Sequence, residues 1–109
     1  MARIYRFTHS RRISQPVFFD RRELNLLLSL YSRRVMSGEW RDYAIDHKGG
    51  VAIFSVFRHA LDAPIFSVAK KADGHRGTFL VYSGGRRLKQ ASSLAEALSI
   101  FERRLSLVQ

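Results

Sequence analysis

Val51-Ala52-Ile53-Phe54-Ser55-Val56-Phe57-Arg58, then Leu61-Asp62-Ala63-Pro64, then Ile65-Phe66-Ser67-Val68-Ala69-Lys70 is the stretch whose reading decides the fold. Its apolar residues recur in steps of two, and a period of two sends alternate side chains to opposite faces of a strand. Phe54 and Val56 with Phe66 and Val68 then form one buried face. Ile53, Ser55 and Phe57 with Ile65 and Ser67 form a mixed second face, apolar enough to want cover. The Leu61-Asp62-Ala63-Pro64 segment has turn chemistry and is too short for a crossover, so the two runs pair antiparallel.

The same period extends outward in both directions. Trp40 to Asp46 precedes the pair and Thr78 to Ser83 follows it. His47-Lys48-Gly49-Gly50 reads as a tight hairpin, and Ala72-Asp73-Gly74-His75-Arg76-Gly77 as a longer basic hairpin tip. After Ser83-Gly84-Gly85, the run Arg86-Arg87-Leu88-Lys89 suits a short edge strand, where charge discourages unwanted pairing. The result is a meander of four or five strands.

Helical signals flank the meander. Asp20 is placed to cap a helix, Glu23 to complete a capping box, and Phe19 to staple onto Leu24. Leu24, Leu27, Leu28, Tyr31 and Val35 follow on one stripe, and Gly38 suits the left-handed position past the last turn. Leu26 and Leu30 fall off that stripe, marking either a second packed surface or a contact with another subunit. A second helix begins near Ser93, with Glu96 at capping-box spacing and Leu94, Leu98, Phe101 and Leu105 as its stripe. Helix, antiparallel meander, helix is most simply packed as two layers with both helices on one sheet face, an α+β domain. Residues 1–16 read as a basic N-terminal arm closed by Pro16, and residues 17–109 as the single domain.

Length and charge bound the function. A chain of 109 residues buries roughly two-thirds of its unfolded surface, enough for one core. The absence of cysteine excludes disulfides and thiolate chemistry and is compatible with a reducing cytoplasm. Ser10-Arg11-Arg12-Ile13 has the look of a twin-arginine export signal, but Asp20-Arg21-Arg22-Glu23 interrupts the apolar run such a signal requires. No segment approaches the roughly 18 apolar residues of a membrane span, so no membrane partner and a cytoplasmic location are expected. The formal charge is +10, with 19 Lys and Arg against nine acids. The excess sits in the arm (Arg3, Arg6, Arg11, Arg12) and around the loops (Lys70, Lys71, Arg76, Arg86, Arg87, Lys89). The segment from Glu39 to Arg58 is balanced.

Phe18-Phe19-Asp20-Arg21-Arg22-Glu23-Leu24, Gly38-Glu39-Trp40-Arg41-Asp42-Tyr43-Ala44-Ile45-Asp46 and Phe54-Ser55-Val56-Phe57-Arg58 together resemble a family of small uncharacterised bacterial proteins, a domain of unknown function. The resemblance spans roughly residues 17–107 and implies a compact domain without an activity or a site. A looser, architectural likeness is to double-stranded-RNA-binding domains, which have three strands and place lysines at the start of the last helix. Here Arg86, Arg87 and Lys89 come four or more residues before Ser93.

No constellation assembles a catalytic site. Asp42 and Asp46 share a strand face but stand about 13 Å apart at the backbone, too far for one ion. Cross-strand pairing of Arg41 or Arg58 with these acids is the expected role. His9, His47, His59 and His75 lack helical metal-site spacing, Gly84-Gly85-Arg86-Arg87 lacks a phosphate-loop ending, and no Gly-x-Ser-x-Gly elbow occurs. The expectation is a non-enzymatic protein without metal or cofactor. It binds nucleic acid, RNA or DNA, by phosphate contacts, since the planar guanidinium suits phosphate oxygens. The alternative is a protein-interaction module or homodimer using Leu26, Leu30, Ile53 and Phe57.

Overall fold

The computed structural model describes residues 16–59, 63–73 and 76–108; the side chains of 73, 76 and 103–108 lie outside that description. The expected order is present. Helix α1 (Arg21–Met36) leads into strands β1 (Asp42–Lys48), β2 (Val51–Phe57), β3 (Phe66–Asp73), β4 (Arg76–Ser83) and β5 (Arg86–Ala91), and helix α2 (Leu94–Val108) follows. The strands form one antiparallel sheet in sequence order. Arg86 onward is therefore a full fifth strand.

The turns explain the registers. Lys48 pairs with Val51, leaving Gly49-Gly50 as a two-residue loop with φ of 60° at Gly49, as a type II′ turn requires. Ser83 pairs with Arg86 around Gly84 and Gly85, whose φ values of 58° and 83° are those of a type I′ turn. Between Val81 and Tyr82 the β4–β5 ladder slips: Val81 faces Lys89 but Tyr82 faces Arg87, so Leu88 is an extra, bulged residue.

Helix α1 starts and stops as its sequence dictates. The Asp20 side chain accepts the Glu23 amide and Glu23 Oε1 accepts the Asp20 amide, both at 2.8 Å. At the other end Gly38 has φ of 82°, and the Gly38 and Glu39 amides donate to Val35 and Arg34 carbonyls, a Schellman motif. In α2 the Ser93 Oγ accepts the Glu96 amide at 3.2 Å.

Both helices cover one sheet face. Leu27 and Leu30 of α1, and Leu94, Ala97, Leu98 and Phe101 of α2, pack on Ala52, Phe54, Val56, Val68, Phe79 and Val81. Fully burying a side chain such as Phe54 contributes about 2–3 kcal/mol. The expected α1 stripe is rotated: Leu30 is 3% exposed and belongs to the core, whereas Val35 is 39% exposed. Leu30 is thus removed from the predicted interaction surface, because the helix turns Leu27, Leu30 and Arg34 toward the sheet.

Two cations are built into this layer. Arg34 is buried; it pairs with Glu39, donates from Nη2 to the Phe101 carbonyl at 3.1 Å, and lies 5.6 Å from the rings of Trp40 and Phe101. Lys70 Nζ donates to Glu23 Oε1 at 2.7 Å and to the Phe18 carbonyl at 2.8 Å, tying β3 to the start of α1. Trp40, expected at the start of a strand, instead precedes β1 and inserts edge-on against Phe101.

Candidate nucleic-acid interface

Register places the remaining side chains of the sheet in ranks on the face away from the helices. One rank runs Ala44, Ser55, Ser67, Tyr82, Arg87; the next Asp46, Ile53, Ala69, Leu80, Gln90; a third Lys48, Val51, Lys71, Thr78. No described helix packs on this face. It is the mixed surface that the alternation of β2 and β3 predicts, except that Ile65 precedes β3 and packs against the core cluster. Ile53 and Phe57 are half-buried here, and Ser55 and Ser67 approach each other at 3.3 Å between hydroxyls.

A groove of about 340 Å³ opens in this face over β3, β4 and β5, lined by Lys71, Ala72, Thr78, Leu80, Tyr82, Arg87 and Gln90. Leu80, 5% exposed, forms its floor. Lys71 and Arg87 stand exposed at its two ends. Arg87 Nη1 donates to Gln90 Oε1 at 3.0 Å, which steadies the guanidinium while its other donors stay available. Among the described side chains no acid lines the groove; Asp42 and Asp46 of this face belong to β1, at the far side of the sheet, and Asp73, two residues beyond Lys71 on β3, has its side chain outside the described residues. The arrangement offers two cations, an amide, a hydroxyl and a phenol around the buried Leu80, groups chemically able to donate to an anion and to contact a flat ring.

The bulge is what brings Arg87 here. Along a regular strand Arg87 would share a face with Lys89 and Ala91, and Ala91 is buried under the helices. The extra Leu88 restores Arg87 to the side of Gln90 and Tyr82. Alternation likewise divides Lys70 from Lys71: Lys70 is spent on Glu23, while Lys71 faces out. Arg86 is exposed beside the hairpin, and Lys89, opposite Val81, is half-buried on the helix side. Arg76 opens β4, but its side chain lies outside the described residues, as do Arg3, Arg6, Arg11 and Arg12. Tyr82, Thr78, Leu80 and Gln90 escape a reading of charge alone. Their signal is the second apolar alternation Thr78-x-Leu80-x-Tyr82 running between Phe79 and Val81.

Expected cross-strand pairs of Asp42 or Asp46 with Arg41 or Arg58 do not form among the described residues. The physical reason is alternation. Asp42 pairs with Phe57, which puts Arg41 and Arg58 next to each other on the opposite side. There they line a wide recess of about 580 Å³ with Val35, Gly38, Glu39, Trp40 and His59. Nearby, Tyr31 donates to the Arg41 carbonyl at 2.7 Å, and its hydroxyl is held above the usual tyrosine pKa, first by burial and then by the charges of Asp42 and Tyr43. Leu26 is exposed on α1, 43% accessible. Among the described residues no group of three or more His, Asp or Glu could hold a metal ion, and no helix is long and apolar enough to cross a membrane.

A family model described as "Protein of unknown function (DUF2794)" matches residues 17–98. No curated protein and no solved structure matches the chain.

Proposed function

We propose, for a chain that belongs to the DUF2794 family of unknown function, that it binds nucleic acid through the groove over β3–β5, by contacts that are mainly electrostatic. The observation that carries this reading is the pair Lys71 and Arg87 at the ends of a groove lined by no acid among the described side chains, on a sheet face that no described helix covers. The +10 charge of the chain draws a polyanion toward it from a distance. Arg86, exposed at the hairpin on the other side of β5 from Arg87, and the arm arginines Arg3, Arg6, Arg11 and Arg12 add phosphate contacts outside the groove in the same reading. Such a protein would act in the cytoplasm, without cofactor and without catalysis.

The test is fluorescence anisotropy of labelled RNA and DNA across a salt series. Each phosphate neutralised contributes about 0.9 to the log–log salt slope for duplex and about 0.7 for single strands. Replacing Lys71 and Arg87 together by Gln should therefore lower the slope by about 1.4 with a single strand and weaken binding at least tenfold at low salt. Unchanged slope and affinity would remove the groove from the site.

A second reading rests on the half-buried Ile53 and Phe57 of the same face. With acids on β1 and cations on β3 and β5, the face is self-complementary in charge, and two copies could pair through it. Association of that kind would respond weakly to salt and would be abolished by Ile53→Arg.

A further inference from the structure

Resting on the nucleic-acid reading, we infer that the ligand of this groove is a single strand, laid across β3–β5 with a base stacked on Tyr82 and phosphates on Lys71 and Arg87. The two cations are far apart. Lys71 lies opposite Thr78, Arg87 lies opposite Tyr82, and four residues of β4 separate those positions, so strand rise and spacing put the two backbones about 16 Å apart. Between them the surface is mixed: the buried Leu80 makes the floor, Tyr82 a wall, and Thr78 and Gln90 supply polar groups.

A duplex has little use for that middle. Its bases are stacked inside and its major groove admits a helix or a two-stranded ribbon, not the face of a five-stranded sheet. It would meet Lys71 and Arg87 and leave the Tyr82 ring between them without a partner. A single strand presents unstacked bases, and an aromatic ring accepts any of them because every base has a π-face.

The neighbours of Tyr82 favour the same occupant. In its rank the residues running toward β1 are Ser67, Ser55 and Ala44, all small, so no bulky side chain of that rank stands over the ring on that side. On the other side Arg87 can place its guanidinium plane beside a stacked base as well as donate to a phosphate. Thr78 and Gln90 offer a hydroxyl and an amide to base edges. Beyond Ser67 and Ser55 the rank of Tyr82 ends at Ala44, between Asp42 and Asp46 of β1, whose charges repel phosphates along that rank.

Anisotropy with the full chain, using a labelled ten-nucleotide oligo-dT or oligo-U and a hairpin duplex, tests this. Single strands should bind at least tenfold tighter than the duplex. Tyr82→Ala should weaken single-strand binding about five- to hundredfold with an unchanged salt slope, as expected for one lost stacked base, and Tyr82→Phe should stay within about twofold of the parent. Tyr82→Trp adds a surface fluorophore that a single strand should quench and a duplex should not; bound single strand without quenching would overturn the stacking. Equal affinity for both ligands and a neutral Tyr82→Ala, with Lys71→Gln/Arg87→Gln still impaired, would overturn the single-strand inference and leave the phosphate-binding reading standing. Failure of every oligonucleotide to bind, or binding indifferent to Lys71 and Arg87, would sink both. A stable dimer lost on Ile53→Arg, with no nucleic-acid affinity, would replace both with pairing of two copies.

Discussion

Leu26 and Leu30 lie four residues apart on α1, yet one is 43% exposed and the other 3%. A helix advances 100° per residue, so four residues amount to 40° of rotation, enough at the margin of a packed stripe to separate water from core. Leu30→Ala should cost about 2–5 kcal/mol through lost burial and a residual cavity. Leu26→Ala should stay within about 0.5 kcal/mol of the parent. Denaturant midpoints followed by the fluorescence of the single, buried Trp40 would measure both, and equal costs would contradict the assignment of Leu30 to the core. Tyr31 carries a pH effect of definite sign. Its pKa is raised in the folded state, by burial first and then by Asp42 and Tyr43, so above the ordinary tyrosine value the native state holds more protons than the unfolded one. The stability it contributes is complete below about pH 10 and is lost as pH rises through the folded value. Unfolding curves from pH 9 to 11 should show the parent losing more stability than Tyr31→Phe; parallel losses would mean the hydroxyl is not perturbed.

At the scale of elements, β5 is the decisive strand, because a one-residue slip exchanges the faces of every side chain beyond it. The bulge at Leu88 lets one strand serve both layers: Ala91 and Lys89 on the helix side, Gln90 and Arg87 on the open side. Deleting Leu88 would close the ladder into a regular pair and still leave Arg87 opposite Tyr82. The shortened chain should therefore melt within a few degrees of the parent and keep its oligonucleotide affinity, as thermal denaturation and anisotropy would record. Loss of binding with the fold intact would mean that the twist of the bulge, and not only the face of Arg87, shapes the groove. The hairpins around it are specified locally, since Gly49, Gly84 and Gly85 hold backbone angles that side chains disfavour.

For the molecule as a whole, both helices lie on one side, so one face of the sheet bears the core while no described helix packs on the other. A ligand that binds the native state alone stabilises it by mass action, by about 2.7 kcal/mol at a hundred times its dissociation constant. Saturating single-stranded oligonucleotide should raise the melting temperature by several degrees, and the Lys71→Gln/Arg87→Gln chain should show no such rise. A rise of the same size in both would place the binding elsewhere on this basic protein.

Local rules made much of this legible in the amino-acid order. Caps, glycine turns and the change of period from 3.6 to two determine helix, meander and helix, because each depends on residues within a few positions of one another. The open, mixed face is readable for the same reason, from Ile53, Ser55 and Phe57 alternating with Phe54 and Val56. Charge counting also found Lys71 and Arg87, but as members of runs whose neighbours, Lys70 and Arg86, point elsewhere. Which cation is spent on Glu23, which leucine turns inward, and that Leu88 bulges so that Arg87 meets Tyr82 were decided only when the layers packed. Those outcomes depend on the rotation of α1 over the sheet and on the register of β4 with β5, and both are set by contacts between residues distant in the chain.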